Sequence, residues 1–508
     1  MTFDLSMPGQ LAAAIGPELA LMTGAMVLML MSAWRPESAE HQRTVGLGSM
    51  LVTAGVLGYV LVMAQRGATA GPGVVAVDPF RWGSSVVFLV ATLITLALAV
   101  EYNAREGLHT AEAHVLLLFA TSGMMLMAAA RDLMVLFLGI ELMSIAVYVL
   151  AGLNRRSNRS AESALKYFLL GAFSTGFLLY GIALVYGATG TTNLTLIAER
   201  IGTYELARTP MLLVGIALLL VGFAFKVAAA PFHMWAPDVY EGAPTPITGY
   251  MAAGVKAGAF AALLRVWLEA FPGAYSEWHK AVWWLAALTM VVGNVVALQQ
   301  RNLKRMLAYS SIAHTGFILV ALAAGTAQAA TAFVFYLLAY TLATMGAFAV
   351  MLALGSAGQP REHIEDYHGL WHERPGLAVA MTVFMLALLG FPIFGGMGFF
   401  AKWYVLQAAM QAPAPQARLA VILVLTTTIS AGYYLGVIIA MFMKPRPAGA
   451  APLPAATGMT RLVIGASVVV ILFFGAWPDP LVKLVKQHST LGGAVTATPP
   501  ANQTAAVP

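Results

Sequence analysis

Glu141, Lys226, Lys256 and Lys402 each fall inside a long apolar run of the chain. A carboxylate or ammonium at membrane depth costs about 2.5–3.5 kcal/mol on insertion scales. Such a cost, met four times, calls for a use, and titratable groups in hydrocarbon are suited to moving protons or ions. Removing an ammonium from water disfavours its charged form, and a nearby carboxylate opposes that. Changing the distance between Glu141 and a lysine would therefore change the affinity for a proton. Plainer readings stand beside this one: Glu141 as half of a structural ion pair, Lys256 as a packing partner for a backbone carbonyl.

Other polar residues divide in the same way. Lys166 follows Glu162 by four residues, so a surface i,i+4 pair competes with a role in a channel. His233 and His314 are possible proton relays in apolar surroundings, or core histidines with satisfied hydrogen bonds. Arg265, near the end of its run, is expected to snorkel to the interface. Asp238 and Glu241 sit among turn residues, where conformational or capping duties fit better than chemistry. There is no phosphate-cradling glycine loop, metal-ligand spacing or nucleophile triad. With no cysteine, disulfides and cysteine-held iron–sulfur clusters are excluded.

The elements that must position these groups are membrane helices. The 508 residues are 60% hydrophobic and 10% charged, against about 25% charged in soluble domains. The formal charge of +6 lies in loops and does not suggest nucleic acid. The first apolar run lacks a basic flank, so no cleavable signal peptide is expected. Fourteen apolar runs approach the length needed to cross about 30 Å of hydrocarbon: 15–33, 45–63, 84–100, 113–129, 133–153, 164–186, 210–235, 243–268, 279–299, 306–324, 329–354, 377–409, 417–443 and 462–478. In lipid such runs must be helical, which predicts an all-α polytopic membrane protein with 14 transmembrane helices. Fourteen Lys and Arg lie in loops after odd-numbered runs and nine in the remaining loops and termini. By the positive-inside bias, both termini are periplasmic.

Two runs are expected to break. Run 12, at 1.5 Å per residue, is too long for one upright helix, and Gly390-Phe391-Pro392-Ile393-Phe394-Gly395-Gly396-Met397-Gly398 interrupts it just before Lys402. In run 7, Pro231 falls between Lys226 and His233, which are seven apart and so expected near one face. If runs 4–8 and 9–13 form two five-helix repeats, the break falls in the fourth member of each, and the odd number of spans inverts one repeat relative to the other. Matching breaks in two halves mark an ion path near the midplane. The division expected is 1–110, an N-terminal three-helix segment; 111–270 and 271–445, two repeats; and 446–508, a linker, final helix and tail. The segment 445–458 reads as a flexible cytoplasmic loop, residues beyond about 488 as disordered, and the charged stretch 361–374 as a cytoplasmic surface element placed to touch something.

The block Phe225-Lys226-Val227 through Pro231-Phe232-His233-Met234-Trp235-Ala236-Pro237-Asp238-Val239-Tyr240-Glu241-Gly242-Ala243-Pro244 resembles the core of the antiporter-like subunits of respiratory complex I. Its Asp-Val-Tyr-Glu-Gly-Ala-Pro form is similar to the subunit-N branch. Leu165-Lys166-Tyr167-Phe168, Leu307-Ala308-Tyr309-Ser310-Ser311-Ile312-Ala313-His314 and Ile364-Glu365-Asp366-Tyr367 agree. The resemblance implies a proton-translocating subunit of the NADH–quinone oxidoreductase in the cell inner membrane, driven by quinone reduction elsewhere. It maps Glu141, Lys166, Lys226, Lys256 and Lys402 onto the family's proton-handling positions, and His233 and His314 are candidates beside them. It implies no cofactor on this chain: NADH, FMN, iron–sulfur clusters and quinone belong to partner subunits. The expected partners are other complex I membrane subunits, especially neighbouring antiporter-like ones, and membrane lipid. The stretch from Gly390 to Lys402 is two residues longer than the family pattern, which lengthens the unwound section or shifts Pro392. An Mrp-type cation/proton antiporter subunit would use the same lysines, and a structural scaffold that has lost transport is the remaining alternative. Quinone type, ubiquinone or menaquinone, is not legible.

Overall fold

The computed structural model describes residues 6–34, 38–66, 73–108, 110–393, 395–412, 414–447, 449, 452–456 and 458–491. The expected disorder of the tail concerns residues that lie, from 492 on, outside this set, as does Phe394 of the glycine-rich break. Sixteen helices matter here. They are α1 (Gly16–Ala33), α2 (Ala39–Arg66), α3 (Pro79–Arg105), α4 (Glu112–Ala129), α5 (Leu133–Ala151), α6 (Asn158–Thr189), α7 (Pro210–Lys226) and α8 (Trp235–Gly242). There follow α9 (Thr245–Ala270), α10 (Tyr275–Ala297), α11 (Leu303–Ala324), α12 (Ala327–Leu354), α13 (Pro375–Leu389), α14 (Met397–Met410), α15 (Ala417–Met443) and α16 (Gly458–Ala476). Among the described residues, 12 helices are long and apolar enough to cross a membrane, and α7 and α13 are shorter apolar helices. The chain is an all-α polytopic membrane protein. With every backbone donor and acceptor of a span satisfied along its own axis, helices meet hydrocarbon without an unpaired polar group.

Burial sorts these helices into a centre and a rim. In α9, α11 and α12, 94% of the most apolar stretch is buried, against 28% in α1 and α16 and 33% in α2, α6 and α15. Small residues let neighbours approach. A Cβ at Gly181 of α6 would lie 2.8 Å from the Leu219 nitrogen of α7, and one at Gly316 of α11 would lie 2.6 Å from the Met290 nitrogen of α10.

Both expected breaks are present. Helix α7 ends at Lys226, and the chain leaves helical geometry until α8 begins at Trp235. The expectation that Lys226 and His233 share a helix face is therefore corrected: no continuous turn connects them. The freed groups find partners, with Thr315 Oγ1 donating to the Val227 carbonyl at 2.7 Å, Trp235 Nε1 to that of Phe225 at 3.0 Å, and the Ala230 nitrogen to Thr289 Oγ1 at 3.0 Å. Helix α13 closes on Gly390 at φ +74°, a left-handed geometry that favours glycine, and α14 starts seven residues later. A third irregularity, which no proline or glycine run announces, is a π-helical turn over Met251–Val255 that directly precedes Lys256.

The charged stretch 361–374 is largely consumed within the chain. Glu362 pairs with Lys304 at 3.1 Å and Glu373 with Arg446 at 2.6 Å, while the Gly369 nitrogen donates to the Ala440 carbonyl of α15. Part of the expected flexible loop is also held: Leu453 is buried, and its carbonyl accepts from Arg374 Nη2 at 2.6 Å. Arg265 does not snorkel. It is 0% exposed and pairs with Asp78 at 2.9 Å and Glu269 at 2.6 Å. It belongs to a buried cluster in which Arg131 reaches Glu269 at 3.6 Å, while beside it Arg81 holds Glu18 at 2.7 Å. Two carboxylates buried within the protein outweighed the expected pull to the interface.

Candidate functional site

Lys226, the last residue of α7, points into the bundle and is 5% exposed. Its Nζ donates to Ser144 Oγ at 2.8 Å and to Tyr148 Oη at 3.2 Å, both on α5. The ammonium also lies 5.6 Å from the centre of the Tyr148 ring. Gly171 of α6 leaves the space that the Tyr148 hydroxyl fills, since a Cβ there would collide with it. Glu141 sits one turn before Ser144 and is half-buried. It accepts from Thr175 Oγ1 of α6 at 3.0 Å. The expected direct pairing of Glu141 with a lysine is not formed, because Ser144 and Tyr148 occupy the place nearest the ammonium.

Lys256 follows the π-helical turn of α9 and is 2% exposed. Its Nζ donates to the Ser311 carbonyl of α11 at 2.9 Å and to Ser311 Oγ. One turn on, Thr315 holds the Val227 carbonyl. One face of α11 thus ties Lys256 to the break that carries Lys226.

His314, on the same helix and buried, meets Tyr336 Oη through Nδ1 at 2.6 Å and Tyr434 Oη through Nε2 at 3.2 Å. Tyr434 in turn meets Ser310 Oγ at 2.5 Å. Between His314 and Lys402 lies a cavity of about 10 Å³, bounded by Tyr336, Tyr340 and Gly398, near the lower limit for one water molecule. Lys402, in α14, is 6% exposed. Its Nζ donates to the Leu389 carbonyl at the end of α13 at 2.8 Å and to Thr427 Oγ1 at 3.4 Å. It also stands 4.6 Å from the centre of the Phe317 ring. The longer glycine stretch leaves Lys402 in the interior.

Among the described residues, no carboxylate pairs with Lys226, Lys256 or Lys402. Their neighbours are hydroxyls, carbonyls and rings, so a structural ion pair does not account for them. Hydroxyl groups serve both charge states of an amine, accepting from an ammonium and, after rotation, donating to the neutral form.

Lys166 and His233 are placed elsewhere. Lys166 is 41% exposed and pairs with Glu162 at 2.7 Å and Asp238 at 2.9 Å. Asp238 is shared with Arg305 of α11 at 2.8 Å, and Arg305 also holds Glu241 at 2.9 Å. Burial opposes ionisation of Asp238, but Lys166 and Arg305 outweigh it and hold the carboxyl below its ordinary range. His233 is half-buried in the break of α7, with Nδ1 enclosed and without a hydrogen bond. Sequence reasoning missed Ser144, Tyr148, Ser311, Thr315, Tyr336 and Tyr434. A signal existed for some: Glu141, Ser144 and Tyr148 share a helical stripe, as do Ser311, His314 and Thr315.

No group of three or more His, Asp or Glu that could hold a metal occurs among the described residues. An all-α membrane bundle with buried lysines beside two interrupted helices has the form of an antiporter-like subunit. A family model described as NADH:quinone oxidoreductase/Mrp antiporter, TM matches residues 130–430. An NADH-quinone oxidoreductase subunit N from Gemmatimonas aurantiaca is 50% identical over 511 residues, spanning 99% of this chain and 97% of that protein. A chain of respiratory complex I from Thermus thermophilus, solved with bound aureothin, is 37% identical with a TM-score of 0.77, covering 92% of this chain and 98% of that one. A chain of the Mrp complex from Dietzia shares the fold at 21% identity and a TM-score of 0.81, over 94% of this chain and 97% of that one. The chain belongs to the family of NADH-quinone oxidoreductase subunit N.

Proposed function

We propose that this chain works in the membrane arm of the NADH–quinone oxidoreductase, where it translocates protons across the membrane as electrons pass from NADH to quinone in partner subunits. The observation that carries the reading is the set of buried ammonium groups, Lys226, Lys256 and Lys402, solvated by hydroxyls and carbonyls rather than by carboxylates. Lys226 and Lys402 exchange protons at the two helix breaks, Lys256 and His314 relay between them, and Glu141 and Thr175 form the flank beyond Lys226. Lys166 and His233 lie off this line: Lys166 stabilises the mouth near Asp238, and His233 serves the break of α7. NADH, FMN, iron–sulfur clusters and quinone sit on partner subunits, and neighbouring antiporter-like subunits flank this chain in the cell inner membrane.

The finer topology belongs to the same reading. Helix α7 with the break that follows it, and α13 with α14, each count as one broken crossing, giving 14 crossings with both termini periplasmic. The chain divides at about 110, 270 and 445 into an N-terminal three-helix segment, two inverted five-helix repeats and a C-terminal helix. Against an Mrp-type subunit stands the 50% identity to a subunit N, while the Mrp likeness extends to the fold. Lys226→Ala in the assembled complex, reconstituted in vesicles, tests the assignment. Quinone-coupled proton uptake is expected to collapse while the complex still assembles. Pumping and turnover at the unmodified level would leave this chain a scaffold.

A further inference from the structure

A cavity of about 490 Å³ opens between the start of α10 and the start of α15, far from the buried lysines, and Lys280, Arg418 and His279 line it together with Trp283, Trp284 and Gln416. Among the described residues, no carboxylate borders it. Among the described residues, neither Lys280 nor Arg418 has an ion-pair or hydrogen-bond partner, and Nε2 of His279 is enclosed without one. Arg418 stands in the first turn of α15, whose cap residue Gln416 makes no side-chain bond to the helix nitrogens. The Gln416 amide instead donates to the Ala414 carbonyl at 2.7 Å. Two cations and a free helix start around one cavity suit a phosphate.

The surroundings say where that phosphate comes from. Trp283 and Trp284 are edge-to-face at 4.9 Å, and Trp284 is 69% exposed. Tryptophans at the end of a span sit at headgroup level. From the cavity, exposed apolar rows run along both helices: Leu288, Val291 and Val295 on α10, and Val421, Val424 and Leu425 on α15. A free anion would have no use for these rows, whereas acyl chains would lie along them.

We propose that this cavity binds the headgroup of an anionic membrane phospholipid, with the phosphate between Lys280 and Arg418, the Trp283–Trp284 pair at the glycerol level and the acyl chains against α10 and α15. The test uses the assembled complex in detergent–lipid micelles and a phosphatidylglycerol bearing a photoreactive diazirine beside the phosphate. Labelling is expected within 279–284 and 415–418, competed by unlabelled phosphatidylglycerol but not by phosphatidylcholine or millimolar inorganic phosphate. Surface cations add enough attraction that K280Q or R418Q should weaken labelling about fivefold and the double variant about 30-fold, with quinone reductase activity unchanged. Equal labelling in the double variant, competition by inorganic phosphate, or cross-linking of both segments to a partner protein instead of lipid would each overturn the proposal. If the double variant does not assemble, the competition series on the unmodified complex decides.

Discussion

Ser144 and Tyr148 present two hydroxyls to Lys226, and each can rotate to suit an amine that gains or loses a proton. A carboxylate in the same place would favour one charge state and hold it. Tyr148→Phe keeps the ring against the ammonium but removes an oxygen, and a hydrogen bond to a charged group contributes about 1.5–3 kcal/mol. Proton pumping in vesicles is expected to slow about tenfold with assembly intact. Lys226→Arg places a permanently charged group in the same space, and pumping should stop. Full pumping in Tyr148→Phe would show the hydroxyl to be idle. The stripe Glu141, Ser144, Tyr148 was legible in the sequence because spacing within one helix is fixed by its pitch. The distance from Glu141 to Lys226 was not, because it depends on how α5, α6 and α7 approach, and Gly171 is one of the residues that sets it.

The start of α3 and the end of α9 are joined by a buried charge cluster. Arg265 answers Asp78 and Glu269 at once and donates Nε to the Ala128 carbonyl at 2.7 Å. Removing it leaves Asp78 and Glu269, two buried carboxylates, with Arg131 alone, 4.0 and 3.6 Å away. Arg265→Leu is expected to destabilise the subunit by about 3–5 kcal/mol, read as lost complex on a native gel; restoring assembly by adding Asp78→Asn and Glu269→Gln would confirm unpaired charge as the cause. If Arg265→Leu assembles normally, the cluster is not a clamp. At the other charged site, Asp238 joins α6 to α11 through Lys166 and Arg305. Its carboxyl is held below the ordinary range, so the tie is present above the unfolded value of about 4 and is lost as pH falls through the folded one. Thermal unfolding of the complex should show an acid limb that flattens in Asp238→Asn. The helix breaks were legible from Pro231, Pro392 and the glycines, since those residues act on their own backbone. The Glu269 pair was within reach of the i,i+4 spacing, but the one with Asp78 was not, because position in an apolar run says nothing about an acid 187 residues away.

Across the whole molecule, the three most enclosed helices, α9, α11 and α12, carry Lys256, His314 and Tyr336, while Tyr434 reaches His314 from α15. Glu141 lies on α5, which is buried to an intermediate degree, and Lys402 on the short helix α14. The layered burial of α9, α11 and α12 was hidden in the sequence because rim and centre helices are equally apolar when lipid replaces water on the outside. What separates them is small-residue packing and the hydroxyls they direct inward. Helix α11 braces both interrupted helices. Ser311 holds Lys256, Thr315 holds the end of α7, and His314 faces the cavity beside Lys402. A change confined to Ser311 should therefore reach both breaks. Ser311→Ala removes the hydroxyl but keeps the carbonyl contact with Lys256, so it tests the proposed proton route while leaving that contact in place. The expected result is a lower ratio of protons moved per quinone reduced, with quinone reduction itself slowed less than pumping. Ser311→Thr, which retains the hydroxyl, should restore the ratio. A structural role alone would change assembly and leave the ratio untouched. An unaltered ratio in Ser311→Ala would mean that no proton passes by way of the Ser311 hydroxyl.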